Sequence, residues 1–417
     1  MKPPMMEIIN QKKIEILAPA GDLEKLRFAY IYGADAAYVG GGAFSLRSAS
    51  GMDLDTLASA REIADSMGKK LYVAVNIFAD NEEIERLPDF LLALAEIRPD
   101  GLIVSDPGVF STCREYCPQL PLHISTQANN TNWRTAKFWQ QQGASRIVLA
   151  RELSLKEGAE ISALGGLETE IFVHGAICIS YSGRCLLSSY FNQRSANKGD
   201  CTHPCRWKYA LMEESRPGIY LPLFEDTQGT YIMNSKDLCL IDWVPELVEA
   251  GFSSWKIEGR NKSAYYVANT VRVYRQALDC YLREGEAYSA RPEWREELEK
   301  ISHREYTENF ALHQPDEKDF RYQSSQSSRG WDFAAVLHDC KDGRLWLEQR
   351  NYFQIGDVLE LILPDGSNRL LPINAIYDEE GQALDAARHP KQKVSIPFSG
   401  KLDCSQPLIC RREKAQE

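Results

Sequence analysis

The chain has no run approaching 18 apolar residues, and its opening, Met1-Lys-Pro-Pro-Met-Met-Glu-Ile-Ile-Asn-Gln-Lys-Lys13, holds neither an apolar h-region nor a small-residue cleavage site. The first absence argues against a transmembrane helix and a membrane partner, the second against secretion, so a cytoplasmic location is expected. Basic charge is also scarce: 48 Lys and Arg face 59 Asp and Glu, a net charge of -11. A nucleic-acid binder ordinarily shows a basic footprint, so any such role must rest on a local patch. Net charge governs long-range steering, not what one cleft can bind. Hydrolytic signatures are missing too, with no H-E-x-x-H, and with Ser182-Gly lacking the G-x-S-x-G elbow. No internal repeat is evident.

What the chain does have is cysteine, concentrated in one place. Cys178, Cys185, Cys201 and Cys205 fall within 28 residues with the spacing C-x6-C-x15-C-x3-C, too dense for incidental use of a rare residue. In a reducing compartment such a cluster more often binds metal than pairs. Structural zinc is usually held by two short knuckles, and only Cys201 and Cys205 are spaced like one. An iron-sulfur cluster needs four thiolates without tight turns between them, so the spacing favours such a cluster, with zinc as the alternative. Cys239 is kept as a possible replacement ligand. Cys113, Cys117, Cys280, Cys340, Cys404 and Cys410 read as ordinary buried thiols.

The first 260 residues alternate short apolar runs with amphipathic stretches. The candidate strands are Glu15–Ala18, Ala36–Val39, Leu71–Val75, Gly101–Val104, Leu122–Ile124, Arg146–Leu149, Glu170–Val173 and Ser254–Ile257. Eight strands joined by helices predict a parallel sheet closed as a TIM-like (β/α)8 barrel, with an open doubly wound sheet as the alternative. The interval from about 175 to 250 exceeds what a crossover needs and contains the four cysteines, which places an inserted metal-binding segment at the barrel's C-terminal face. The barrel domain is expected over 1–325. After a strong helix capped by Ser263 and a polar linker, short strands separated by Lys341-Asp-Gly, Gln354-Ile-Gly and Pro364-Asp-Gly turns predict a small all-β barrel over 330–417.

In such a barrel, residues that follow the strand ends surround the active-site mouth. These are Asn76, Ser105-Asp106, Ser125 to Asn129 including Gln127, Arg151-Glu152, His174 and Glu258-Gly259-Arg260. Turn chemistry explains any one of them; six polar strand ends out of eight read as a site. Arg151 and Arg260, with Lys256 beside them, could hold a dicarboxylate or a phosphate. His174 could transfer a proton or orient a ligand. Asn76, Asp106, Gln127, Asn129 and Glu258 complete the candidate catalytic set.

These residues carry a family resemblance. Glu170-Ile-Phe-Val-His174-Gly-Ala-Ile-Cys178-Ile-Ser-Tyr-Ser-Gly-Arg-Cys185 resembles the signature of peptidase family U32, and the likeness runs from Leu17-Ala-Pro-Ala-Gly-Asp22 through Lys256-Ile-Glu-Gly-Arg260 to His303-Arg-Glu-Tyr-Thr307 and into the β domain. Within the family, Val104-Ser-Asp-Pro-Gly108, Lys137 to Gly143, Cys201-Thr-His-Pro-Cys-Arg-Trp207 and Tyr231 to Asp237 are most similar to a tRNA-hydroxylating branch. That resemblance implies an oxygen-independent enzyme with a [4Fe-4S] cluster on the four cysteines. It would convert the wobble uridine of the tRNA anticodon loop to 5-hydroxyuridine and draw the hydroxyl group from prephenate. The chain departs from the pattern at Glu305 and Asn309, and its segment between Trp207 and Tyr231 is short. Arg184, Arg194, Lys198, Arg206, Lys208, Lys256, Arg260 and Lys262 would face phosphates, and some of Tyr181, Tyr190, Phe191 and Trp207 would stack on a splayed base. Other branches hydroxylate rRNA cytidine or the ubiquinone ring. Peptidase activity, which the family name suggests, lacks a nucleophile motif, and four thiolates would close a zinc site instead of leaving it catalytic.

Overall fold

The structure, a computed structural model, describes residues 14–45, 51–177, 234–313 and 330–414, together with Asn192 and short stretches at 211–212, 220–221, 224–226, 229–231 and 320–321. Eight parallel strands run in sequence order around a closed barrel: β1 Glu15–Pro19, β2 Ala36–Gly41, β3 Lys70–Val75, β4 Gly101–Val104, β5 Leu122–Ile124, β6 Arg146–Val148, β7 Glu168–Ala176 and β8 Ser254–Ile257. Closure comes from β8 pairing with β7 on one side and with β1 on the other. Strands this short, covered on both faces, read as continuous apolar runs, which is why their positions follow from the sequence.

Between the strands lie α1 Leu23–Ile31, α2 Leu54–Ser66, α3 Asn81–Ile97, α4 Pro107–Tyr116, α5 Trp133–Gln142 and α6 Leu155–Leu164; α7 Val244–Glu249, α8 Ala264–Glu284 and α9 Pro292–Glu299 flank β8. Asp22, Asp53, Asp80, Asp106, Asn132, Ser154 and Ser263 each accept a first-turn amide and so fix where a helix begins. Each of these starts follows a barrel strand, so the helix N-termini ring the C-terminal face. A short strand, Asp237–Cys239, which the alternation did not predict, returns antiparallel along the end of β7.

The second domain is an antiparallel sheet that includes β9 Trp331–Lys341, β10 Arg344–Gln349, β11 Val358–Ile362, β12 Asn368–Pro372, β13 Lys393–Pro397 and β14 Leu408–Glu413 around its own apolar core. Cys340 and Cys404 form a disulfide there, with Cα atoms 5.8 Å apart, which corrects their reading as ordinary thiols. A cysteine at the end of β9 meets one far along the chain, and spacing alone cannot show that. Cys113, Cys117, Cys239, Cys280 and Cys410 are free and buried.

Buried charge joins the two domains. Arg411 on β14 bonds Glu297 on α9 at 2.8 Å and Glu360 on β11 at 2.7 Å, while Arg272 on α8 donates to Asn368 at 2.7 Å. The Tyr32 hydroxyl, fully buried, donates to the Ile362 carbonyl at 2.9 Å and accepts from the Ile409 amide at 3.0 Å.

Candidate active site

Side chains from alternate strand positions fill the lumen in two polar levels separated by apolar packing of Leu17, Ala36, Ala74 and Ile103. At the strand starts, Arg146 donates to Glu15 at 2.6 Å, to Glu170 at 3.1 Å and to Glu168 at 2.8 Å. Lys256 reaches Glu170 at 2.8 Å, and the Tyr72 hydroxyl reaches Glu15 at 2.8 Å. Burial alone would raise both carboxyls, yet Arg146 with the Tyr72 hydrogen bond outweighs it at Glu15, and Lys256 with Arg146 outweighs it at Glu170, so both are lowered. In this floor the buried cations and carboxylates are paired, while His123, packed against Tyr72, has no hydrogen-bond partner on Nδ1 among the described residues. Lys256, expected in the substrate-binding set, belongs to it and lies 4.4 Å above the Tyr38 ring.

The mouth lies above the strand ends. Gln127 Oε1 accepts from Asn76 Nδ2 at 2.6 Å, Ser105 Oγ at 3.0 Å and Ser125 Oγ at 3.2 Å, so the ends of β3, β4 and β5 converge on one amide oxygen. On the opposite side Tyr38 donates to Glu258 Oε2 at 3.2 Å, and Arg260 donates to Ser45 Oγ at 2.9 Å. Arg151 stacks its guanidinium 3.8 Å from the Phe172 ring centre and stands 3.8 Å from Glu258 in a loose ion pair, with no hydrogen bond of its own among the described residues. A planar cation held by a ring face keeps its donors for a ligand. Asn76, Gln127, Arg151, Glu258 and Arg260 are thus brought to one end of one lumen.

Three expected site residues have other surroundings. Asp106 caps α4, accepting from the Gly108 and Val109 amides at 2.7 and 3.0 Å. Asn129 sits in the left-handed region with φ 55° and ends the short helical turn Thr126–Ala128. His174 is turned away from the lumen. Lys256 pairs with Phe172 but Ile257 pairs with His174, so Val173 is an extra residue, and this bulge reverses the alternation. The ring packs among Tyr306, Tyr274 and Tyr266 at 5.3, 5.6 and 5.9 Å, and among the described residues neither ring nitrogen has a hydrogen-bond partner. Burial holds its pKa well below the ordinary histidine value. Its backbone still serves the mouth: the His174 carbonyl accepts from the Glu258 amide at 2.9 Å.

The four clustered cysteines and the residues named around them, from Tyr181 to Lys208, lie outside the described residues. Cys239 is fully buried opposite His174, with its pKa raised by burial to about 11. Tyr38, Phe172, Ser45 and the Glu15–Arg146–Glu170 layer were not singled out from the sequence. The available signal was a charged or hydroxylated residue at an inward strand position where an apolar one is the rule.

A closed (β/α)8 barrel with a polar, arginine-bearing mouth defines an enzyme-like architecture whose site lies among the βα loops. Residues 21–321 match Peptidase family U32 and residues 329–411 match its C-terminal domain, and the chain belongs to that family. It is 40% identical over 394 residues to tRNA hydroxylation protein P1 of Bacillus subtilis, covering 94% of this chain and 93% of that protein. It is 38% identical to tRNA hydroxylation protein P of Escherichia coli, covering 96% and 97%. The 23S rRNA 5-hydroxycytidine C2501 synthase of Escherichia coli is 34% identical, over 73% of this chain and 46% of that one. Among solved structures, the U32 peptidase Mk0906 aligns with 60% of this chain and 94% of its own at 14% identity and a TM-score of 0.38. No helix among the described residues is long and apolar enough to cross a membrane.

Proposed function

We propose that this chain is a tRNA hydroxylase that converts the wobble uridine to 5-hydroxyuridine without molecular oxygen and takes the hydroxyl group from prephenate. The observation that carries this reading is the similarity along nearly the whole chain to proteins named for tRNA hydroxylation. The mouth fits a dicarboxylate donor: Arg151 and Arg260 enter it from different strand ends, and each guanidinium can grip a carboxylate through two parallel N–H bonds. Glu258, tethered by Tyr38 and by the His174 carbonyl, is the group placed to take or give a proton there. Gln127, oriented by Asn76, Ser105 and Ser125, presents its amide to the substrate.

Cys178, Cys185, Cys201 and Cys205 would hold the four-iron cluster, with zinc as the alternative. Cys178 follows the end of β7 by two residues, and Asp237 pairs with Ala176 on the way back, so the intervening chain leaves and re-enters at the mouth. Four soft thiolates so closely spaced along the chain fit an iron-sulfur cluster. When bound, the cluster would supply electron transfer or Lewis acidity.

Proteolysis finds no support in the geometry, since His174, the histidine at the end of β7, has no nucleophile bonded to its ring among the described residues. The test is mass spectrometry of nucleosides from bulk tRNA of cells with and without the chain. 5-Hydroxyuridine and its derivatives are expected only when the chain is present. Unchanged tRNA alongside a changed rRNA nucleoside or ubiquinone pool would move the reading to another branch of the family.

A further inference from the structure

We propose that the outer face of α5 is a docking ledge for a single-stranded stretch of the RNA substrate beside the barrel mouth. The inference rests on the proposed tRNA activity and adds a binding surface to it. The helix reads Trp133-Arg-Thr-Ala-Lys-Phe-Trp-Gln-Gln-Gln142, and alone among α1 to α9 it contains neither Asp nor Glu. In a chain of net charge -11 this is a local reversal of sign. Asn132 caps the helix five residues after Gln127, so its first turn stands at the rim of the mouth.

Arg134 and Lys137 are exposed, and among the described residues neither is paired with a carboxylate. The Trp133 ring holds both instead: the Arg134 guanidinium lies 4.6 Å and the Lys137 ammonium 4.9 Å from its centre. A ring face positions two like charges close together without using their hydrogen-bond donors. Two adjacent cations with unspent donors fit successive phosphates of a polynucleotide. Four residues after Arg134, hence on the same helix face, Phe138 is 52% exposed. It is supported edge-on by Trp139 at 5.2 Å, which is in turn packed on Phe110 at 5.2 Å. An exposed aromatic on a rigid base beside two cations is the arrangement on which an unpaired nucleobase stacks, independent of its sequence. Adjacent cations beside an exposed, rigidly backed aromatic ring match the alternating phosphates and bases of a single strand, so the committed occupant is RNA.

The test uses the full chain and a full-length tRNA transcript, with affinity followed by fluorescence anisotropy over a salt series. The double substitution Arg134→Gln/Lys137→Gln is expected to flatten the log–log salt slope by about 1.4, roughly 0.7 for each single-strand phosphate left without its cation. Phe138→Ala is expected to weaken binding about tenfold with little change of slope. Lys391→Gln/Lys401→Gln removes the same charge from exposed positions of the second domain and should leave both quantities unchanged. Wild-type affinity and slope in both α5 variants, with tRNA bound normally by the unsubstituted chain, overturns the ledge and leaves the tRNA reading standing. No tRNA binding by the unsubstituted chain removes the tRNA reading, and the ledge with it. Unchanged RNA affinity with altered sedimentation of the variants assigns this face to a second copy of the chain, and also overturns the proposal.

Discussion

The floor and the mouth of the barrel use the same side chains, arginines, carboxylates and tyrosines, and bond them differently. At the floor Arg146 bridges Glu15 and Glu170 at 2.6 and 3.1 Å, and Lys256 completes the layer at 2.8 Å from Glu170. At the mouth Arg151 rests on Phe172 with its nearest carboxylate at 3.8 Å, and Arg260 donates to a serine hydroxyl. Buried charges that saturate one another add little beyond specificity, but removing one partner leaves the rest uncompensated. A floor built this way closes the barrel. A mouth in which Arg151 is held by a ring face keeps that arginine's donors for a ligand.

The contrast makes the floor the most sensitive point. Arg146→Leu removes the cation that Glu15 and Glu170 share and leaves Lys256 as the remaining buried cation of the layer, and urea unfolding should register a loss of about 3–5 kcal/mol. A loss under about 1 kcal/mol would mean the layer is not the closure device described. Next in size is the domain joint. Burial would raise the Glu297 carboxyl, but hydrogen bonds and charge from Arg411, with Arg272 adding to them, hold it at about 2. For a depressed carboxyl the contribution is complete above the unfolded value of 4.5 and is lost as pH falls toward 2. That shift corresponds to on the order of 3 kcal/mol. Glu297→Gln should remove this acid limb from the stability profile, and an unaltered limb would assign it elsewhere.

At the mouth the effect should fall on binding instead. Arg151→Lys loses the planar fork and should weaken calorimetric prephenate binding tenfold or more, about 1.4 kcal/mol, while stability and iron content stay constant. Equal affinity would remove Arg151 from the donor site. The smallest effect concerns His174. Because burial depresses its pKa, the unfolded chain takes up a proton the folded one refuses, so stability declines as pH drops below about 6.5. His174→Phe should flatten that decline between about pH 5 and 6.5; an unchanged slope would point to other groups.

Much of the barrel was legible in the sequence for a physical reason. Gly101–Val104, Leu122–Ile124 and Ser254–Ile257 are found at the expected residues, since a strand covered on both faces has few polar positions to blur its ends. Convergence at the mouth was legible as well, because strand ends in a closed barrel must meet: Asn76 and Gln127, far apart in the chain, share a bond of 2.6 Å. The floor was not. Glu15, Arg146, Glu170 and Lys256 come from four strands and become a unit only on closure, and each alone looks like a strand-edge charge. His174 shows a different limit. Period-two alternation places it in the lumen with Phe172, and one extra residue, Val173, sends it to the other side of the wall. Tyr38 was hidden in an apolar run, although its hydroxyl is what fixes Glu258.

The most direct test of the account is the nucleoside composition of tRNA from cells whose only copy of this chain carries Arg151→Ala. Solubility and iron content should match the unsubstituted protein. 5-Hydroxyuridine and its derivatives, present with the unsubstituted chain, are expected to disappear with the variant. Undiminished 5-hydroxyuridine in those cells would contradict the claim that the mouth of this barrel is where the hydroxylation takes place.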